Sequence, residues 1–345
     1  MKRSEIKKIL KRLLIILIII IALMLINILY QAFESNRIFK EYPPPGKLVH
    51  IGQHNLHIWC MGKGEPAVIL EAGIGGNALS MYMIQKGLSG STKVCSYDRA
   101  GYGWSDDCPG DRTCDQIISE LYTLLKKAGV KGPYILVGHS LGGFNVRMFA
   151  QKYPSLVKGI VLLDAAHPVQ FSDLKEPMEF PLVLKKRQMQ MYAIMPWLSG
   201  TGLLKIFYSL GLLGPVGRFF GIPDDVPERY KKAYQGLVLN PRHWRTAKRE
   251  IDFLCREKAS QAQKKNILGK IPLVVISADT GVGLPDNMTQ EEFKQIWLTL
   301  QKDMTRLSSN SRQFILKGAD HFSILVAPEY TRKVIDIIQQ MIDQR

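Results

Sequence analysis

The stretch "YILVGHSLGG", residues 134–143, is an apolar run that ends at a serine flanked by glycines. A buried strand is predicted up to Gly138, and helical spacing of apolar residues follows the serine. A strand that turns sharply into a helix leaves little room for side chains, so Gly138 and Gly142 relieve crowding around Ser140. We therefore expect the Ser140 hydroxyl to project at the carboxyl edge of a sheet, beside a helix N-terminus.

Apolar strands and amphipathic helices alternate on both sides of this unit. Strands are predicted in residues 67–73, 93–97 and 158–164, and residues 114–130 carry apolar side chains at helical spacing. Continuous apolar strands alternating with helices are typical of a parallel sheet that is covered on both faces. The fold class predicted is α/β, with a mostly parallel central sheet and helices on both faces.

The N-terminus predicts a membrane anchor. Residues 1–12 form a basic tail, and residues 13–30, "LLIILIIIIALMLINILY", contain no charge. As a helix, 18 residues would span roughly 27 Å, close to the ~30 Å of a bilayer core. No small-x-small cleavage site follows, which favours an uncleaved transmembrane anchor over a signal peptide. The positive-inside rule predicts a cytoplasmic tail, a single-pass membrane protein and an extracytoplasmic catalytic domain.

Residues 31–46 are interpreted as a linker. The segment "EYPPPG" at 41–46 cannot continue a helix and favours a stiff extended spacer. We expect the globular domain to begin at residue 47.

Four stretches of this domain resemble the α/β-hydrolase family. Besides the G-x-S-x-G at 138–142, "EAGIGG" at 71–76 is similar to the family's loop after its third strand. The segment "YDRAGYGWSD" at 97–106 is similar to its Asp-Arg-x-Gly-x-Gly-x-Ser segment, and "GADHF" at 318–322 to the loop that carries its catalytic histidine. The resemblance covers roughly residues 47–345. Ala72 departs from the histidine of many members, but the backbone role there does not need that side chain.

The resemblance implies a helical cap at residues 169–268, between core segments 47–168 and 269–345. Alternation of strands and helices breaks in this region, which contains several helical segments and a very apolar portion at 197–221. An apolar cap over the serine suits an acyl chain or another hydrophobic substrate. Ordinary packing of the cap on the core explains the same side chains, and insertion into a membrane is a third reading.

His321 is the predicted base for Ser140. It follows a strand and precedes the helix that begins after Pro328, so its loop can return over the serine. The other histidines are less well placed. Residues 48–60 are predicted to form a hairpin that contains His50, His54 and His57. His139 is next to the serine, His167 lies just past a strand, and His243 lies in the cap. His139 is expected to point away from the serine, because it is its neighbour in sequence.

Two aspartates are candidates for orienting His321. Asp164 and Asp279 each end an apolar strand, and both satisfy the chain order serine, acid, histidine. In most family members the acid follows the later strand, at a position held here by Gly281, but some haloalkane dehalogenases carry it at the end of the earlier strand. We favour Asp164 and leave Asp279 open.

The backbone N–H groups of Ile74 and Leu141 are the predicted oxyanion hole. With them, the sequence predicts a membrane-anchored serine hydrolase that cleaves an ester of a hydrophobic, lipid-like small molecule through an acyl-enzyme. An acyltransferase using the same intermediate, or a non-catalytic ligand-binding protein on a hydrolase fold, is the alternative. Asp98 and Arg99 are interpreted as a structural charge pair.

No cofactor, metal or nucleic-acid partner is predicted. The net charge of +16 includes six basic residues in the N-terminal tail, and the remainder shows no nucleic-acid module. No cysteine spacing fits a zinc site, and no dinucleotide or phosphate motif occurs. If the family's strand order applies, Cys60 and Cys95 lie on adjacent strands, while Cys108 and Cys114 flank a short loop. Either pair is a candidate disulfide, and Cys255 is expected to be free.

Overall fold

A computed structural model describes residues 3–108, 110–171, 176–214, 217, 222, 226–254 and 266–344. Eight strands of these residues form one sheet: β1 (Lys47–His50), β2 (Asn55–Met61), β3 (Val68–Glu71), β4 (Val94–Tyr97), β5 (Tyr134–His139), β6 (Val157–Leu163), β7 (Leu273–Thr280) and β8 (Ser311–Asp320). Their order across the sheet is β1-β2-β4-β3-β5-β6-β7-β8. Strands β3 to β8 run parallel, and only the β1–β2 and β2–β4 pairings are antiparallel. The predicted mostly parallel sheet is confirmed.

The helices of the described residues are α1 (Arg3–Glu41), α2 (Tyr82–Leu88), α3 (Cys114–Ala128), α4 (Leu141–Lys152), α5 (Leu182–Gly200), α6 (Leu203–Ser209), α7 (Glu228–Val238), α8 (Pro241–Leu254), α9 (Gln290–Asp303), α10 (Ser323–Val326) and α11 (Pro328–Asp343). Four of them, α5 to α8, lie in the chain between β6 and β7, within the predicted cap. Pro241, at the first position of α8, fits a helix start because proline lacks an N–H that would be unpaired there.

The two faces of the sheet pack against different helices because successive side chains of a strand point to opposite faces. On one face, Leu136 and Ile160 are buried with Leu121 of α3 and Phe149 of α4. On the other face, alternate residues of the same strands are buried with α2 and α11. Since β5 sits in the middle of the sheet, its carboxyl end is surrounded by both layers.

Helix α1 is longer than the predicted anchor and extends to Glu41, so the predicted linker is non-helical only at residues 42–46. Within the described residues, no helix has the length and apolar character that crossing a bilayer requires. The transmembrane helix predicted at 13–30 is therefore not supported. Part of that segment lies against the domain: the Asn27 side-chain amide donates a hydrogen bond to the Thr201 carbonyl, and Ile38 farther along α1 abuts Gly236 of α7.

One predicted disulfide forms and the other does not. Cys60 and Cys95 are directly opposite each other on β2 and β4, and a disulfide joins them. Cys108 and Cys114 are both buried and are not bridged to each other. Cys255 lies outside the described residues.

Candidate active site

Ser140 lies at the sharp turn between β5 and α4. Its φ of 53° and ψ of −123° are unusual for a residue with a side chain, and such strain concentrates at functional sites. A Cβ on Gly138 would lie 2.5 Å from the Gly142 carbonyl oxygen, and one on Gly142 would lie 2.3 Å from the Glu71 carbonyl oxygen. Only glycine fits at these two positions. The crowding around the turn that we predicted from the sequence is therefore confirmed.

Asp164 and His321 are in direct contact. His321 Nδ1 lies 2.6 Å from Asp164 Oδ2, although 157 residues separate them in the chain. Asp164 follows β6 with a φ of +43° and is 1% exposed. Its other oxygen accepts hydrogen bonds from Trp297 Nε1 at 2.7 Å and from the Ala278 N–H at 3.0 Å. These donors stabilise a buried carboxylate and fix the oxygen that faces His321.

Asp279, the alternative acid, has different partners. Its carboxylate accepts a hydrogen bond from the Gly318 N–H at 2.7 Å and lies 3.7 Å from Lys294 Nζ. It therefore links β7 to the end of β8 and to α9. Of the two aspartates, the fold brings Asp164 to the imidazole of His321.

His139 contacts the main chain of His321, contrary to the expectation that it points away from the site. Its Nε2 lies 2.9 Å from the His321 carbonyl oxygen, and the two rings are 4.5 Å apart. Burial, and then the charge of His321, lower the pKa of His139 well below its ordinary value. A neutral His139 can donate to the carbonyl, which helps to fix the loop that carries His321.

The two predicted oxyanion donors, Ile74 and Leu141, border one cavity together with Ser140, Asp164 and His321. Leu141 is the first residue of α4. Gly73 brings the loop of Ile74 close to the serine, since a Cβ on Gly73 would lie 2.9 Å from the Ser140 Cβ. Within the described residues, neither the Ile74 nor the Leu141 N–H donates to a protein acceptor. Both are available to an oxygen of a bound ligand.

The cavity has a volume of about 490 Å³ and is mostly apolar. Leu184 and Met191 of α5 and Leu254 of α8 contribute one wall, and Phe293 and Trp297 of α9 contribute another. This size is within the range of small-molecule sites in proteins. The arrangement can hold an apolar group while presenting a hydroxyl, an imidazole and two amides to its reactive end.

One cluster among the described residues has the composition of a metal site. Ligand atoms of His54, Cys108 and Glu120 lie within 4.8 Å of one another, but none of the three borders the cavity. Arg112 already donates to both Glu120 oxygens, at 2.9 and 2.8 Å. A guanidinium in this position opposes the approach of a cation.

Comparisons with known proteins agree with this architecture. A family model described as the α/β-hydrolase fold matches residues 66–328. The chain belongs to the α/β-hydrolase family. It is 30% identical over 149 residues to YbdG, an uncharacterized protein of Bacillus subtilis, covering 43% of this chain and 46% of YbdG. The match thus spans less than half the length of that relative.

Two other proteins match over more of their length. A 2-(acetamidomethylene)succinate hydrolase of Mesorhizobium japonicum is 25% identical over 289 residues, which cover 83% of this chain and 92% of that protein. The solved structure of a thermophilic esterase from Thermogutta terrifontis is similar with a TM-score of 0.58 and 17% identity, covering 87% of this chain and 99% of the esterase. At that identity the structural likeness shows the fold alone.

Sequence reasoning missed the groups that hold the candidate residues in place. Trp297 and His139 lie on elements far apart in the chain, and no spacing pattern connects them with Asp164 or His321. Arg99, interpreted as part of a structural pair with Asp98, instead donates hydrogen bonds to the loop before Ile74. Asp98 bonds the Ala78 and Trp104 N–H groups and the His57 ring. The one sequence signal for this role of Arg99 was its place in the glycine-rich segment at 97–106.

Proposed function

We propose that this α/β-hydrolase is a serine hydrolase that cleaves a carboxylic ester through an acyl-enzyme. The observation that carries the proposal is the 2.6 Å contact between His321 and Asp164, beside a serine on a strained turn in the same cavity. A serine, a carboxylate and an imidazole in this chain order are the parts with which the family's fold carries out acyl transfer.

The reaction follows from the role of each group. Ser140 Oγ attacks the ester carbonyl while His321 Nε2 takes the hydroxyl proton, and Asp164 stabilises the resulting imidazolium. The carbonyl oxygen gains negative charge, which the N–H groups of Ile74 and Leu141 stabilise. The C–O bond then breaks, and His321 returns the proton to the departing alcohol. In the second half, His321 takes a proton from the water that attacks the acyl carbon. The bond from this carbon to Ser140 Oγ then breaks, His321 returns the proton to Oγ, and the acid leaves.

The lining of the cavity supports an ester with an apolar acyl or alcohol group. Side chains from α5, α8 and α9 would contact such a group, and its burial would contribute about 0.8 kcal/mol per CH₂. We therefore expect kcat/KM to rise with chain length until the cavity of about 490 Å³ is filled.

A panel of p-nitrophenyl esters with acyl chains of increasing length tests the proposal. The wild-type protein should release p-nitrophenol with saturation kinetics, and Ser140→Ala should lose at least about 10³-fold in kcat. Ser209→Ala, which removes an exposed hydroxyl at the end of α6, is the matched control and should stay active. Undiminished hydrolysis by folded Ser140→Ala would refute the proposal.

A further inference from the structure

Glu250 lies on α8, in the part of the chain between β6 and β7, and is 1% exposed. It binds Arg99, which follows the carboxyl end of β4. Arg99 donates from Nε to Glu250 Oε1 at 2.8 Å and from Nη2 to Oε2 at 2.9 Å. This two-point geometry is the strongest arrangement of a carboxylate with a guanidinium, and it fixes the plane of the arginine.

The remaining N–H groups of Arg99 reach the loop after β3. Nη1 donates to the Ala72 carbonyl at 2.7 Å, and Nη2 donates to the Gly73 carbonyl at 2.9 Å. Both carbonyls come just before Ile74, the residue whose N–H is the proposed oxyanion donor. The orientation of Arg99 therefore determines where the loop enters the site.

Tyr102 connects the same carboxylate to the other side of Ile74. Its hydroxyl donates to Glu250 Oε2 at 2.9 Å and accepts from the Gly75 N–H at 3.3 Å. Glu250 is thus linked through Arg99 to the peptide groups before Ile74 and through Tyr102 to the one after it.

A neutralising partner for Arg99 already exists without Glu250. Glu71 Oε1 lies 3.1 Å from Arg99 Nη1 and also accepts from Asn145 Nδ2 at 2.9 Å. Burial of a second carboxylate is costly, so charge balance alone does not explain Glu250. Its distinguishing feature is that it orients Arg99, which donates to the carbonyls before Ile74, and Tyr102, which accepts from the N–H after it.

We propose that Glu250 is a positioning residue for the oxyanion hole: through Arg99 and Tyr102 it holds the loop of Ile74 in the geometry that stabilises the transition state. The inference rests on the proposed ester hydrolysis. It means that Glu250, on a helix outside the sheet and its flanking helices, completes the catalytic geometry without itself bordering the substrate cavity.

The test compares Glu250→Gln with Asp252→Asn, the same acid-to-amide change on an exposed position of α8. Glu250→Gln keeps the side-chain length but cannot accept both Arg99 bonds and the Tyr102 bond. We expect its kcat for a p-nitrophenyl ester to fall about 10- to 100-fold with KM within about twofold, because the lost stabilisation belongs to the transition state. Asp252→Asn should match wild type.

Two further measurements separate positioning from a purely structural role. Affinity for a trifluoromethyl ketone, which forms a tetrahedral oxyanion on the serine, should fall in parallel with kcat/KM in Glu250→Gln. Tyr102→Phe keeps the ring and loses only the hydroxyl, so it should show a smaller decrease in kcat of the same kind. This variant also keeps the test decisive if Glu250→Gln does not fold.

Wild-type kcat in folded Glu250→Gln, or in Tyr102→Phe if only that variant folds, would overturn the inference. A rise in KM at constant kcat would overturn it too. If the wild-type protein itself hydrolyses no ester and is not labelled by a fluorophosphonate, the proposed function fails first and the inference fails with it.

Discussion

At the scale of single residues, the environment of each aspartate determines which one can orient His321. Asp164 has one oxygen held by two N–H donors and the other facing the imidazole, whereas Asp279 is occupied by the Gly318 N–H. Both aspartates end apolar strands, so the strand pattern did not separate them, and only the resemblance to some haloalkane dehalogenases favoured Asp164. In the structure, the two aspartates differ in the N–H donors that other elements bring to their carboxylates.

We expect Asp164→Asn to lower kcat by about 10³- to 10⁴-fold. Ala278 and Trp297 would hold the amide oxygen, so the NH₂ group would face His321 Nδ1 and favour the wrong tautomer of the ring. Asp279→Asn is the matched control and should keep kcat within a few-fold, as steady-state ester hydrolysis would show. The reverse ranking would assign the acid to Asp279.

His243 should make stability depend on pH. Burial, and then the charges of Arg242 and Arg99, lower its pKa from the ordinary 6.5 to about 3. Below pH 6.5 the unfolded chain therefore binds a proton that the folded protein does not. The free energy of unfolding should decrease as the pH falls from about 6.5 towards 3, with up to about 1.4 kcal/mol per pH unit from this group.

Urea unfolding at pH 7.5, 5.5 and 4.5 measures this effect. His243→Gln removes the titrating group and should give a shallower pH dependence than the wild type. Identical slopes for His243→Gln and wild type would show that His243 is protonated in the folded protein.

The residues of the proposed site could be named from the sequence because their types follow from the proposed reaction and their chain order from the fold of the family. Ser140 was indicated by glycines that the turn requires, and His321 by its place between a strand and a helix. His139 and Glu250 were not predictable in the same way. Their roles depend on contacts across 182 and 151 residues of chain, and neither contact leaves a local pattern.

At the scale of elements, the turn from β5 to α4 depends on glycines that have no space for a side chain. A Cβ on Gly142 would lie 2.3 Å from the Glu71 carbonyl oxygen and 2.7 Å from that of Ala72, and both are backbone atoms that cannot move aside cheaply. We expect Gly142→Ala to lower the free energy of unfolding by about 2–3 kcal/mol and to reduce kcat.

Gly90→Ala is the control for this prediction, because a Cβ there would meet nothing within 4 Å. Chemical unfolding of the two variants beside the wild type measures the difference. Equal stability of Gly142→Ala and Gly90→Ala would mean that the turn can widen without cost.

The strands and the helices beside them were predicted well because their apolar patterns are set by burial on both faces of the sheet. Helix α3, for example, buries Ile117, Leu121 and Leu124, which the sequence showed at helical spacing. Helix α1 shows the limit of this reasoning. Its apolar composition indicated an isolated membrane span, and sequence spacing could not reveal that Asn27 and Ile38 contact other helices.

At the scale of the whole molecule, the Cys60–Cys95 disulfide joins the antiparallel start of the sheet to its parallel part. The bridge closes a loop across a sequence separation of 35. Such a cross-link contributes about 3–4 kcal/mol by restricting the unfolded chain. Because disulfides persist in oxidising compartments, the bridge agrees with the expectation from the sequence that this domain lies outside the cytoplasm.

The double variant Cys60→Ala/Cys95→Ala should therefore lose about 3–4 kcal/mol in its free energy of unfolding. Reductant should destabilise the wild-type protein by a similar amount and leave the double variant unchanged, which controls for the effect of the substitutions themselves. Urea unfolding of the wild type and of the double variant, each with and without dithiothreitol, gives the four free energies of unfolding that are compared. Insensitivity of the wild type to reductant would show that the two thiols are not bridged in solution.

The central claim is that Ser140 is a nucleophile activated by His321, and covalent labelling tests it most directly. Wild-type protein and His321→Ala would be treated with a fluorophosphonate, and the adduct would be located by peptide mass spectrometry. We predict one phosphonyl group on Ser140 in the wild type and labelling at least about 10²-fold slower in folded His321→Ala. An unlabelled Ser140 in wild-type protein that still hydrolyses esters would contradict the account.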